Sequence, residues 1–115
     1  MIDQTEIDPL IGDELIEISL HPYHVYFTFS ESELQLGAPF AIVAEGSASS
    51  KFDPKEGSGD LSKLWSLVGK SVTAVVWEET ICIVFTGGEV ISIFPSEGRP
   101  RGLIKGRQDM TIEEF

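Results

Sequence analysis

The chain has 115 residues, a 42% hydrophobic fraction and a formal net charge of −11. This length predicts a single domain, residues 1–115, that buries its own core. The acidic charge opposes binding to nucleic acid or to an anionic membrane, because Lys and Arg supply most of the affinity for phosphate. One cysteine cannot form an intramolecular disulfide, and no apolar run approaches the ~20 residues that span a bilayer, so we expect a cytoplasmic protein.

The charge is distributed unevenly along the chain. Residues 1–50 contain nine acidic residues and no Lys or Arg, whereas residues 51–115 contain ten acidic and eight basic residues. A field of this kind steers basic partners toward the N-terminal half. Solubility alone is the other explanation of an acidic composition, and the sequence leaves both explanations open.

A first β unit is predicted over residues 10–44. Alternating apolar residues indicate four short strands, at residues 13–20, 25–29, 33–36 and 40–44. His21-Pro22-Tyr23 forms a turn between the first two strands, because proline fixes its own φ and restricts the residue before it. Residues 45–60 are rich in Gly, Ser and Pro and are predicted to be a linker.

A second β unit, residues 61–94, is predicted to begin with a short helix at Leu61–Val68. Three strands follow, at residues 71–77, 81–85 and 89–94. Gly87-Gly88 supplies the positive φ of a two-residue hairpin. The tail, residues 95–115, carries four bases between Arg99 and Arg107. These bases bind either phosphate or, more simply, the acidic half of the same chain.

The two units share a pattern that suggests an internal duplication. The entry Leu10-Ile11-Gly12 matches Leu67-Val68-Gly69, and later matches include Glu33 with Glu89. A chance likeness between two short meanders is the alternative. The predicted fold class is mainly β, with about seven strands as two duplicated three-strand meanders and one short helix, in a sandwich or part-open barrel.

Candidate catalytic chemistry is sparse in this sequence. His21 and His24 flank a proline turn, but a metal site needs three or four converging ligands and the turn supplies two at most. Motifs such as HExxH, GxSxG, paired CxxC and the phosphate loops are absent. We therefore predict no catalytic residues, no metal site, no cofactor and no enzymatic activity.

Four segments carry a family resemblance: Phe52-Asp53-Pro54, Leu61-Ser62-Lys63-Leu64, the run from Leu67 to Thr73 and the run from Val84 to Gly88. Together they resemble a group of small bacterial proteins of uncharacterised function that are built from a duplicated β unit. Members occur alone or beside polymorphic toxin genes, so the resemblance implies an immunity-type role. It brings no catalytic residues with it.

The function predicted from these features is a non-enzymatic acidic protein that binds a basic protein, most concretely an immunity protein that neutralises a basic toxin such as a nuclease. The predicted contact residues are Asp13, Glu14, Glu17, Glu31 and Glu33. One alternative is a small-ligand-binding protein or enzyme with a pocket near His21 and His24. Another is a structural homo-oligomer, since a homodimer would cover an open sheet.

Overall fold

The structure, a computed structural model, describes residues 10–44, 49–59, 63–96, 98, 100–106 and 112–115. These residues form eleven strands and include a 3-10 helix at Leu64–Leu67. The strands are β1 (Leu15–His21), β2 (His24–Phe29), β3 (Ser32–Leu36), β4 (Phe40–Val43), β5 (Ser50–Asp53), β6 (Ser58–Gly59), β7 (Val72–Val76), β8 (Ile81–Phe85), β9 (Val90–Ile93), β10 (Gly102–Gly106) and β11 (Ile112–Glu114). The prediction of a mainly β chain is confirmed, while the number of strands exceeds the predicted seven.

The strands form two antiparallel sheets. Sheet 1 has the order β1-β2-β3-β10-β11, and sheet 2 has the order β6-β5-β4-β9-β8-β7. Each predicted meander stays together, as β1–β3 in sheet 1 and as β7–β9 in sheet 2. After each meander the chain crosses to the other sheet, so that β4 pairs with β9 and β10 pairs with β3.

Both sheets contribute to one core. Val25, Phe27 and Phe29 alternate along β2 and are buried, as expected for a strand with one face toward the interior. Phe27 meets Phe40 of sheet 2 with ring centroids 5.9 Å apart, and Phe29 meets Phe85 of sheet 2 at 6.4 Å. The two sheets therefore pack face to face as a sandwich.

Reciprocal hydrogen bonds join the sheets at one corner, where β1 and β7 begin. The Gly12 N–H donates to the Val72 carbonyl at 2.8 Å, and the Gly69 N–H donates to the Leu15 carbonyl at 2.8 Å. Both glycines lie in the left-handed region, with φ of +92° and +91°. This reciprocity relates the two β units by an approximate twofold axis, with Gly12 equivalent to Gly69 and Leu15 equivalent to Val72.

The equivalence extends beyond the meanders. β5 lies beside β4 as β11 lies beside β10. Phe52 pairs with Phe40, and the Phe115 N–H donates to the Gly102 carbonyl at 3.1 Å, so the two units end on buried phenylalanines in matching places. Each unit therefore contains five equivalent strands and places its last two in the sheet of the other unit.

The structure differs from the predicted boundaries in three places. β5 and β6 lie inside the predicted linker, residues 45–60, of which residues 45–48 and 60 are outside the described residues. β10 and β11 lie inside the predicted tail, residues 95–115. The predicted helix Leu61–Val68 is reduced to the 3-10 helix, because Val68 is already extended at ψ 130° and Gly69 has positive φ; residues 61–62 are outside the described residues.

The predicted match of Glu33 with Glu89 is also corrected. Thr28 pairs with Glu33 and Val84 pairs with Val90, so Glu33 is equivalent to Val90. Glu89 is instead equivalent to Ser32, because one extra residue lies in the turn that precedes it.

Candidate functional site

Four of the five predicted contact residues lie at one corner of sheet 1, which we call the acidic corner: Glu14, Glu17, Glu31 and Glu33. Thr28 pairs with both Glu17 and Glu33, so these two carboxylates share a row on the outer face of sheet 1. The Ser30 N–H donates to the Glu14 carbonyl at 3.0 Å, and Glu31 follows Ser30 in the turn between β2 and β3. The first three of the four are exposed, and Glu33 is half-buried.

Asp13 does not belong to this surface. Its residue exposure is 6%, and its Oδ1 accepts a hydrogen bond from the Ser30 hydroxyl at 3.1 Å. The Asp13 carbonyl also accepts the Val72 N–H at 3.0 Å, which places Asp13 at the junction of the two sheets. Its acidic neighbours in the sequence suggested a surface position, but the contact with β7 buries it. Asp13 therefore lies beneath the acidic corner, where it contacts Ser30 and Val72, and is not part of the exposed surface.

One cation lies in the same row of the outer face. Lys105 of β10 pairs with Glu33, which extends the row of Glu17 and Thr28 across the sheet. The Gln35 amide donates to Glu33 Oε2 at 3.5 Å on the other side. Among the described residues of this surface, four carboxylates stand against one ammonium group, so their summed charge is negative.

The equivalent row on the outer face of sheet 2 consists of aliphatic side chains instead of charged ones. Ala74, Val84, Val90 and Val43 occupy it in strand order, and each pairs with the next. These side chains alternate with the buried core positions and face outward. The row of carboxylates is therefore particular to sheet 1, while the equivalent row of sheet 2 is aliphatic.

A partly buried ion pair lies at the corner where the sheets join. Lys70 Nζ donates to Glu89 Oε2, and Glu89 is 8% exposed. This hydrogen bond lowers the pKa of Glu89 below its ordinary value, although burial acts in the opposite direction. Lys70 is equivalent to Asp13, so each unit places a charged residue here and pairs it differently. We assign this pair a structural role.

A groove lies where Gly37–Pro39 crosses from sheet 1 to sheet 2. Its volume is about 680 Å³. The polar side chains that line it come from three separate parts of the chain: Tyr23, His24, Gln35, Asp53, Lys55, Ser96 and Glu114. His24 lines this groove, but His21 does not; its ring stacks on Tyr26 with centroids 4.2 Å apart. The alternative prediction placed both histidines at one pocket, but only His24 lines this groove.

Tyr23 stands at the rim of the groove in an unusual backbone conformation. His21 pairs with His24 across a two-residue turn, and Tyr23 has φ of +70°. Proline cannot adopt positive φ, so Pro22 makes this a type II turn, in which the third position normally favours glycine. Tyr23 is nevertheless 65% exposed. A smaller cavity of about 270 Å³ lies on its other side, against Phe52.

Sequence reasoning missed most of the residues that line this groove. Asp53 and Lys55 lie in the predicted linker, and Glu114 lies in the predicted tail. The segment Phe52-Asp53-Pro54 is one of the four on which the predicted resemblance depends, but nothing local connects it with Gln35 or Glu114. Only the crossing of the strands between sheets brings these residues together.

Within the described residues, His, Cys, Asp and Glu form no group of three or more that could hold a metal ion. The same residues contain no helix with the length and apolar character needed to cross a membrane. No protein-family model matches the chain, and the chain matches neither a curated protein nor a solved structure.

Proposed function

We propose that this chain is a non-enzymatic protein that binds a basic protein surface through the acidic corner. The observation that carries the proposal is that Glu14, Glu17, Glu31 and Glu33 lie together at one end of sheet 1. Strand pairing holds Glu17 and Glu33 in one row, so little ordering is needed before a partner binds.

The electrostatics favour fast association with a cationic partner. The formal charge of −11 attracts positive charge at long range, and the acidic corner gives this attraction a direction. Complementary surface charge acts mainly on the association rate and on specificity. Screening becomes strong beyond about 8 Å at physiological ionic strength, so the association rate should fall steeply as salt rises.

The most concrete form of this function is immunity to a basic toxin, for example a nuclease, in the cytoplasm of the cell that makes both proteins. This form draws on the resemblance of Phe52-Asp53-Pro54 and of the run from Leu67 to Thr73 to small bacterial proteins found beside toxin genes. An acidic surface can occupy the basic site of a nuclease by presenting charges like those of a phosphate backbone.

Binding of octalysine to the ¹⁵N-labelled protein tests the electrostatic part of the proposal. We expect saturable shifts at the amides of Glu17, Thr28 and Glu33 at 20 mM NaCl, with affinity at least about tenfold weaker at 200 mM NaCl. Uncharged octaglutamine is the matched control peptide. Shifts concentrated on the aliphatic row of sheet 2, or shared equally by octaglutamine, would contradict the proposal.

Co-expression tests the immunity form. A basic toxin domain encoded beside the gene should inhibit growth alone and lose this effect when the chain is expressed with it. A variant with Glu17→Lys and Glu31→Lys should protect less well. Undiminished protection by that variant would exclude the acidic corner as the contact surface.

A further inference from the structure

The groove at Gly37–Pro39 lies on the same face of sheet 1 as the acidic corner, toward the other end of β3. Gln35 pairs with Leu103, and Leu103 pairs with Glu114, so these residues form a row on the outer face. This row lies two residues along the strands from the row of Glu33 and Lys105, a distance of roughly 7 Å. A partner seated on the acidic corner would therefore reach the groove.

The equivalent place on sheet 2 is filled by the chain itself. The strand pairing makes Phe94 equivalent to Gly37 and Lys51 equivalent to Glu114. Lys51 Nζ lies 5.1 Å from the centre of the Phe94 ring, which is a cation–π contact. Sheet 2 thus supplies both an aromatic ring and a cation at the position where sheet 1 has a glycine and a carboxylate.

The glycine at this position helps to keep the groove open. A Cβ atom at Gly37 would lie 3.3 Å from His24 Cδ2, so a side chain there would require the His24 ring to shift by a few tenths of an ångström. With Glu114 in the place of Lys51, the groove gains an anion where sheet 2 has a cation. The charged and aromatic groups that remain suit a cation that comes from outside the chain.

We propose that this groove receives an arginine side chain of the basic partner, an inference that rests on the proposed function. The charged groups that line it, among the residues that the structure describes, are Asp53 and Glu114 against Lys55, so carboxylates outnumber the ammonium group. A guanidinium group donates to carboxylates through a planar fork and stacks on aromatic faces, here those of Tyr23 and His24. Lysine has neither the fork nor the plane, so arginine fits better.

The size of the groove agrees with a side chain that enters with its own backbone. A volume of about 680 Å³ exceeds what one side chain needs and is within the range of about 300–1,000 Å³ typical of ligand pockets. Tyr23 at the rim is mostly exposed, so its ring is available for stacking. Anchors of this kind, an arginine in a pocket with an aromatic wall, dominate the binding energy of many interfaces.

Titration with N-acetyl-arginine amide, followed by NMR of the full-length protein, tests this inference. We expect saturable shifts at the Gln35 side-chain amide and at the amides of Leu103 and Glu114. The lysine analogue should bind at least about threefold more weakly, and the neutral citrulline analogue should bind at least about tenfold more weakly. Equal binding of the citrulline analogue, or the absence of saturable shifts in the groove, would overturn the inference.

Two variants separate the groove from the general charge of the protein. Glu114→Lys introduces the residue of the equivalent site and should abolish arginine binding. Glu79→Lys makes the same change of charge in the exposed turn between β7 and β8 and should leave arginine binding within about twofold of the wild-type value. Equal losses in both variants would show attraction by net charge alone and would overturn the inference.

Tyr23→Gly provides a readout that does not depend on unfolding. Glycine adopts φ of +70° without steric strain, so the melting temperature of this variant should stay the same or rise. Loss of the aromatic ring should weaken arginine binding about threefold. Unchanged binding would remove Tyr23 from the site. The double change Glu17→Lys and Glu31→Lys should leave a separate arginine site largely intact, so failure of the groove and failure of the acidic corner are distinguishable.

Discussion

Phe29 and Phe85 stack across the core with ring centroids 6.4 Å apart and ring planes inclined by 15°. Each comes from the middle strand of one meander, and each pairs with the first residue of the strand before it: Phe29 with Leu15, and Phe85 with Val72. The stack is therefore a contact between equivalent residues of the two units. Neither meander completes this part of the core alone.

The stack predicts energetic coupling between the two units. Phe29→Leu and Phe85→Leu should each lower the free energy of unfolding by about 1–2 kcal/mol. A double-mutant cycle measured by urea unfolding should give a coupling of about 0.5–1.5 kcal/mol. Phe52→Leu is the control partner, because its ring packs on Phe40 instead. A coupling as small as that between Phe29 and Phe52 would contradict the assignment.

Equivalent glycines should respond alike to substitution. Gly12 and Gly69 have nearly the same positive φ, and a Cβ atom at either would meet nothing within 4 Å. Gly12→Ala and Gly69→Ala should therefore each cost about 1–2 kcal/mol through backbone conformation alone. Asparagine tolerates this conformation better than alanine, so Gly→Asn should cost less at both sites. Thermal unfolding of the four variants would reveal any difference between the units.

The Lys70–Glu89 pair predicts a dependence of stability on pH. Because the folded-state pKa of Glu89 is lowered, its ionised form stabilises the fold above the unfolded-state pKa of about 4.3, and this contribution disappears as the pH falls through the folded-state pKa. Glu89→Gln should cost about 1–3 kcal/mol at pH 7 and much less near pH 3. Urea unfolding from pH 7 to pH 3 measures this difference.

The control for this measurement is Lys70→Met, which removes the hydrogen-bond donor and leaves Glu89 buried. It should destabilise the protein at pH 7 and reduce its loss of stability on acidification, because protonation then relieves an unpaired carboxylate. Parallel stability curves for the wild type and both variants would show that the pair does not determine the acid sensitivity.

The two meanders could be predicted from the sequence because the patterns that specify their strands and turns involve residues close together in the chain. The alternation of Val25, Phe27 and Phe29 and the glycines at Gly87-Gly88 were sufficient to place a strand and a hairpin. The hairpin loop has three residues where two were predicted, since the Phe85 N–H donates to the Glu89 carbonyl and Gly88 adopts φ of +89°.

The strands that were missed depend on partners far away in the sequence. Ser50 and Phe52 form β5 only because they pair with β4, and the Gly/Ser content around them resembles a loop. Gly102 lies so close to β3 that an added Cβ would collide with the Gln35 carbonyl oxygen. A glycine in this role looks like a turn in the sequence. The exchange of β4 and β10 between the sheets could therefore not be predicted from the sequence. The groove that this exchange creates could not be predicted either.

The spatial grouping of the four glutamates at the acidic corner was easier to predict than the lining of the groove, because it depends on residues that are close in the sequence. Glu14, Glu17, Glu31 and Glu33 belong to one meander, so a local hairpin pattern already brings them together. Asp13 was assigned to the same surface wrongly, because its burial depends on the junction with β7. Glu114 could not be predicted as a neighbour of His24, since that relation requires the pairing of β10 with β3.

The most direct measurement compares two double charge reversals in stopped-flow association with fluorescein-labelled octalysine at 20 mM NaCl. Glu17→Lys with Glu31→Lys changes the acidic corner, and Glu78→Lys with Glu79→Lys makes the same change of net charge in the exposed turn between β7 and β8. We predict association about tenfold slower for the first variant and within about twofold of the wild-type rate for the second. Equal slowing of both variants would contradict a binding surface at the acidic corner.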